Sequence, residues 1–174
     1  MSNRVRVVAH EVRRLEIAVD PPFEEFRDRY EKAVPPFEPG HFFDGGLGGT
    51  DWATITRITE RVAPHGFLLY WRNEVDLVMR VAGHRRRCTT YLMGNHTVAE
   101  RMYRHDSGIM LYAPLRVTLH EDHDDRVWLT VDQPSTRFSS FGDPEIAAVG
   151  AELDDKLAAL FTALDIAVPA ELAG

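Results

Sequence analysis

The chain has 174 residues, 20 basic against 27 acidic, with a formal net charge of −7 and a hydrophobic content of 44%. That acidity excludes nucleic acid as a default partner, because phosphate binding needs a basic face. Size and composition fit one domain with a self-sufficient core. The single cysteine, Cys88, leaves no internal disulfide and fits a cytoplasmic setting, and no run approaches the ~18 apolar residues of a membrane span.

Residues 1–10 read as a tail, 11–166 as the single domain and 167–174 as a second tail. Val12 to Val19 has the spacing of a strand, with Val12, Leu15, Ile17 and Val19 apolar. Asp20 is placed to cap a helix whose first position is Pro21; Phe23, Phe26, Tyr30 and Val34 follow at helical spacing until Pro35 and Pro36. The stretch 35–50 is irregular, with Pro39 and the run Gly45-Gly46-Leu47-Gly48-Gly49, and its length marks either a functional flap over a pocket or a mobile loop. Asp51 caps a second helix with Trp52, Ile55, Ile58 and Val62 on one face, stopped by Pro64 and Gly66. Phe67 to Trp71 is a strand and Asn73-Glu74 a tight turn. Val75, Leu77, Met79 and Val81 then alternate with Asp76 and Arg80 as in a strand with one wet face.

Arg87 to Met93 predicts a further strand. Asn95 caps a helix carrying Val98, Ala99, Met102 and Tyr103, with Glu100 and Arg104 paired one turn apart. A hairpin follows: Leu115, Val117 and Leu119 alternate with Arg116, Thr118 and His120, and Val127, Leu129 and Val131 with Trp128, Thr130 and Asp132. Pro114 assigns the start of this hairpin to an edge or bulge. Asp143 caps the last helix, Pro144 opens it, and Ile146, Val149, Leu153, Leu157, Leu160 and Leu164 line one face. Strands joined by short turns and amphipathic helices make an α+β fold of two layers. Its sheet is mostly antiparallel and covered on one face by the helices.

The segments Tyr91-Leu92-Met93-Gly94-Asn95, Ala99, Leu111 to Val117, Asp132, Pro134 and the long final helix resemble the domain-of-unknown-function 302 (DUF302) family, over about residues 10 to 165. The resemblance implies a compact α+β fold and a homodimer, and supplies no reaction. Many members carry Cys after the proline that matches Pro114; here that position is Leu115, so no thiol chemistry can operate there.

Several groups are weighed for chemistry. The glycine run before Asp51 resembles a phosphate cradle but lacks the Lys-Ser/Thr ending of a nucleotide-binding loop, which favours a plain loop. Arg85, Arg86 and Arg87 read as a solvated basic run or, less readily, an anion site. The hairpin tip from His120 to Asp125 holds metal-ligand residue types that need not converge, so no metal is assigned. His84 or Cys88 could ligate haem, but Cys88 reads more simply as a small core residue, and no cofactor is assigned. His96 stands at a helix N-terminus, where the dipole disfavours its protonated form; His105 stands at the other end beside Asp106. Arg80, Arg116, Thr118, Trp128, Thr130 and Asp132 fall on the side away from the core. That face is open to water or paired with another subunit, or a cleft at the sheet's end is lined by Tyr91, Asn95, Tyr112 and Arg116. The planar fork of Arg116 suits a carboxylate or phosphate, with a salt bridge to Asp132 across the hairpin as the plain alternative.

Three functions are compatible with this sequence. In the first, a pocket between sheet and helices binds a small, anionic ligand through Tyr91, Asn95, His105, Tyr112, Arg116 and Asp132. In the second, Arg116 holds a substrate while His105 or Asp132 does acid–base work. In the third, the domain is a dimerising accessory module without its own site.

Overall fold

Five strands form one antiparallel sheet in the order β1-β5-β4-β3-β2: β1 Arg14–Val19, β2 Leu68–Glu74, β3 Cys88–Gly94, β4 Leu115–Glu121 and β5 Val127–Asp132. The computed structural model describes residues 4–43 and 50–172, so the glycine run lies outside the described residues. Alternation places Leu15, Ile17 and Val19, Tyr91 and Met93, Leu115, Val117 and Leu119, and Val127, Leu129 and Val131 on the core face, all buried. Cross-strand pairs such as Ile17 with Leu129 and Val117 with Val131 lock the register, because a one-residue slip would expose the whole set.

Three helices supply the second layer: α1 Phe23–Ala33, α5 His96–Tyr103 and α7 Pro144–Ala163. Phe23, Phe26 and Tyr30 of α1, Val98 and Met102 of α5, and Ile146, Val149, Leu153, Leu157 and Leu160 of α7 join the core. The sequence signals for α7 hold in detail: Asp143 accepts from Glu145 N (2.8 Å) and Ile146 N (3.3 Å), and Pro144 occupies the first turn. A short helix, α6 Pro134–Phe138, was not legible beforehand. It packs on α7 at Gly150, where a Cβ would meet Phe138 Cβ at 3.0 Å and Ser135 Cα at 3.2 Å. The buried Asp154 of α7 accepts from Ser135 N (2.9 Å), Ser135 Oγ (2.6 Å) and Gln133 Nε2 (2.6 Å), tying the start of α6 to α7. After α7 a turn at Ala170–Leu172 comes back and buries Leu172 in the core. A second, smaller cluster joins the short helix α2 Pro39–Phe42 to α3 Trp52–Val62 through Phe42, Ile55, Ala63 and Leu68.

Four local expectations give way. Asp20 does not cap α1: Pro22 occupies the cap position without a side-chain bond, and Phe26 N donates to Pro22 O at 2.9 Å. Asn73 and Glu74 make no turn but extend β2 against Thr90 and Thr89. The segment from Val75 to Val81 is not a strand. It is α4 Val75–Met79 followed by a 3-10 turn at Arg80–Ala82, closed by Gly83 at φ 88°. Asp76 bonds Arg80 one turn on (2.6 Å) and accepts from Cys88 N (3.4 Å), which holds the helical form. The apparent alternation also ignored Val78, and Leu77, Val78 and Val81 all face solvent. Finally, β4 is central rather than an edge; Pro114 precedes its first paired residue, Leu115, so the missing N–H falls outside the ladder. Among the described residues no helix is long and apolar enough to cross a membrane.

Candidate functional site

At the end of the sheet, where β3 leaves and β4 begins, the two chains run very close. A Cβ on Gly94 would lie 3.1 Å from Pro114 Cβ. Beside this junction α5 and the 3-10 turn Ser107–Leu111 stand off from the strands and leave a cleft of about 540 Å³. Its walls are almost wholly carbon, from residues such as Trp52, Leu92, Ala99, Met102, Tyr103 and Met110. Trp52, Tyr103 and Met110 remain about half exposed at its rim (48%, 52% and 49%).

The cleft adjoins a smaller cavity on each side. One, of about 390 Å³, shares Trp52, Tyr70 and His96 with it and adds Phe37, Phe43, Thr50 and Ile55. Here the 35–50 segment does reach the site, through Phe37, Phe43 and Thr50. The other, also about 390 Å³, shares Leu92, Met110, Ala113, Pro114 and Leu115 and adds Tyr112, Arg116, Asp132 and Arg137.

At the aromatic end the polar side chains bond one another and the backbone. Thr59 donates its hydroxyl to Ile55 O (2.8 Å), so Thr59 Oγ1 accepts from His96 Nε2 (2.8 Å). His96 Nδ1 is then the unprotonated nitrogen and accepts from the Tyr70 hydroxyl at 2.6 Å, while that oxygen accepts from His96 N at 3.1 Å. Burial lowers the His96 pKa below 6.5 and pushes Tyr70 up to about 12, so both are neutral near pH 7. The direction at His96 agrees with its place at a helix N-terminus, but burial is the cause. Phe42 packs edge-on against the imidazole at 4.9 Å. Asn95 lines the cleft with both ends of its amide bonded: Nδ2 donates to Gly66 O (2.9 Å), and Oδ1 accepts from Thr97 N (2.9 Å) and Val98 N (3.3 Å).

The opposite end differs. Asp132 bonds Arg137, five residues on, rather than Arg116, which corrects the bridge expected across the hairpin. Arg137 also lies over the Tyr112 ring, 4.8 Å from its centroid. Arg116 is exposed, and its guanidinium has no hydrogen bond or ion pair among the described residues.

Of the six expected ligand contacts, Tyr112, Arg116 and Asp132 meet in one cavity and Asn95 lines its neighbour. Tyr91 does not: it points to the core, fully buried, and its hydroxyl donates to Glu31 Oε1 at 2.8 Å. The pleat explains this, because it is Leu92 that faces the groove. His105 is also elsewhere. Its Nδ1 lies 3.6 Å from Asp143 Oδ2, at the N-terminus of α7, and Asp106 instead accepts from Gly108 N at 2.7 Å. His105 lines none of the three cavities, whereas Arg116 lines one of them.

The other groups have structural uses. Arg80 leaves the polar sheet face for the turn after α4. Arg87 pairs with Glu121 (2.5 Å) and Glu24 (3.2 Å), and Arg86 donates to Asp122 O (2.7 Å). Asp122 organises the hairpin tip by accepting from Trp128 Nε1 (2.8 Å) and Asp124 N (2.8 Å). Cys88 is half-buried, and burial raises its thiol pKa. Among the described residues no three His, Cys, Asp or Glu side chains are grouped to hold a metal. The sequence reading passed over Trp52, Tyr70, Leu92 and Met110 as groove walls. The only hint was that Trp52 and Tyr103 are large aromatics on short helices whose cores were already filled.

A family profile described as "Domain of unknown function DUF302" matches residues 52–164. Among solved structures, the chain is similar to the crystal structure of an uncharacterized conserved DUF302 protein from Bacillus stearothermophilus. The two are 12% identical with a TM-score of 0.60, over 88% of this chain and 97% of the other, a likeness of fold. No curated protein matches the sequence.

Proposed function

From the premise that the chain belongs to the DUF302 family, whose description names no activity, we propose that the domain binds a small molecule with a largely apolar body in the cleft at the sheet's end. The observation that carries this is the cleft itself. About 540 Å³ lies within the range of roughly 300–1,000 Å³ typical of ligand pockets. Its rim keeps Trp52, Tyr103 and Met110 half exposed on one patch, where apolar surface attracts a partner. His96 and Asn95 support the same reading, since their polar atoms bond within the protein and carry no charge into the cleft.

The test uses 1-decanol and the neutral dye Nile red, followed by thermal shift and tryptophan fluorescence. Binding raises Tm, and Leu92→Trp, which fills the cleft from a half-buried strand position that tolerates an aromatic, abolishes the response. Failure of both probes, or undiminished binding by a folded Leu92→Trp variant, sinks the proposal.

A second reading, self-association, draws on α4 and the turn after it, where Leu77, Val78 and Val81 are exposed at 53%, 69% and 90%. On this reading the chain sediments as a dimer, and Val78→Asp shifts it to monomer. A wild-type monomer at high concentration refutes it.

A further inference from the structure

We infer that Arg116 is an anion-recognition residue and that the ligand is therefore an amphiphile, with an apolar body in the main cleft and an oxyanion head at Arg116; this rests on the cleft reading above. Three observations carry the assignment. First, position. The cavity that holds Arg116 shares five wall residues with the apolar cleft, so a molecule lying along Leu92, Met110 and Pro114 ends beside the guanidinium. Second, charge. Among the described residues the only carboxylate lining this cavity is Asp132, and Arg137 bonds it while Arg116 lines the same cavity. The cavity lining alone carries two arginines against one aspartate. In a chain of net charge −7, that local excess of cation is not a consequence of overall composition.

Third, availability. Arg137 is pinned by Asp132 and by the Tyr112 ring. Arg116 has no partner among the described residues, although a carboxylate lies within its own cavity. A guanidinium presents a planar set of donors that fits two oxygens of a carboxylate or phosphate at once. Arg137 neutralises Asp132, so the charge left over at the cavity is that of Arg116. Carboxylate and phosphate heads share this chemistry.

The probes are 1-decanol, decanoate and decyl phosphate, monomeric and at neutral pH, measured by calorimetry on the full chain. Both anions bind about tenfold or more tighter than the alcohol, as a charge-assisted contact predicts. Arg116→Ala brings them down to the level of decanol and leaves decanol unchanged; Arg116→Lys restores part of the difference, because it keeps the charge and loses the fork. The anion that loses more affinity in Arg116→Ala identifies the head group. Because Arg116 is exposed and unbonded, this variant folds as the parent does. Anions that bind no tighter than decanol, or an Arg116→Ala loss equal for all three probes, overturn the assignment while the cleft reading stands. If decanoate binds through Arg116 but decanol does not bind at all, the apolar-cleft reading fails and the anion site survives. If none of the three binds, both fall.

Discussion

The two ends of the groove contain similar kinds of residue and use them in opposite ways. At one end the side chains of Thr59, Tyr70 and His96 bond one another, and Asn95 bonds backbone on both sides. At the other, Asp132 is taken by Arg137 and the Arg116 side chain has no partner among the described residues. A buried polar group with all its bonds made fixes shape, whereas a charge left without a partner at a cavity wall is available to a ligand. The first end should therefore speak through stability and the second through binding.

Substitutions can break that division, and the largest effect serves as a reference. Asp154→Ala removes three hydrogen bonds from a buried site that itself lines none of the three cavities, and should cost about 3 kcal/mol in urea denaturation. Asn95→Ala removes a helix cap and the bond to Gly66 O. We expect a loss of about 1–2 kcal/mol, with decanol binding intact once the variant is folded. If Asn95→Ala kept full stability but lost binding, the division between the two ends would be wrong.

His96 gives a pH signature of the saturated end. Its pKa is lowered in the fold, so between that value and 6.5 the unfolded chain binds the extra proton and stability rises with pH. Stability should therefore fall as pH drops below 6.5, and the fall should be shallower in His96→Gln, checked by paired denaturation curves at pH 7.5 and 5.5. A wild-type profile no steeper than the variant's would show that His96 is not held neutral by its surroundings. The smallest stability effect belongs to Arg116→Ala, within about 0.5 kcal/mol of the parent, since no contact is lost. A larger loss would mean that Arg116 has a structural partner, and the contrast between the ends would disappear.

Much of the architecture was readable in advance. Asp51, Asn95 and Asp143 each cap the helix they were expected to cap, and the hairpin from Leu115 to Asp132 alternates core and outer positions as read. The site was readable only in part. Arg116, Tyr112 and Asp132 do meet, but Tyr91 faces the core, and the main walls went unnoticed because Trp52, Tyr70, Leu92 and Met110 come from four separate segments.

By itself, the sequence determined what acts over a turn of helix or a pair of strand residues: caps, the period of the apolar positions, and with them an α+β domain. Only the tertiary structure decided which way Val75 to Ala82 would go, since a period of two in four apolar residues competes with one Asp76–Arg80 contact and with Cys88 N. It also decided that Asp132 would choose Arg137 over Arg116. That choice depends on where α6 packs against α7, through Gly150 and Asp154, a contact far along the chain from Arg116.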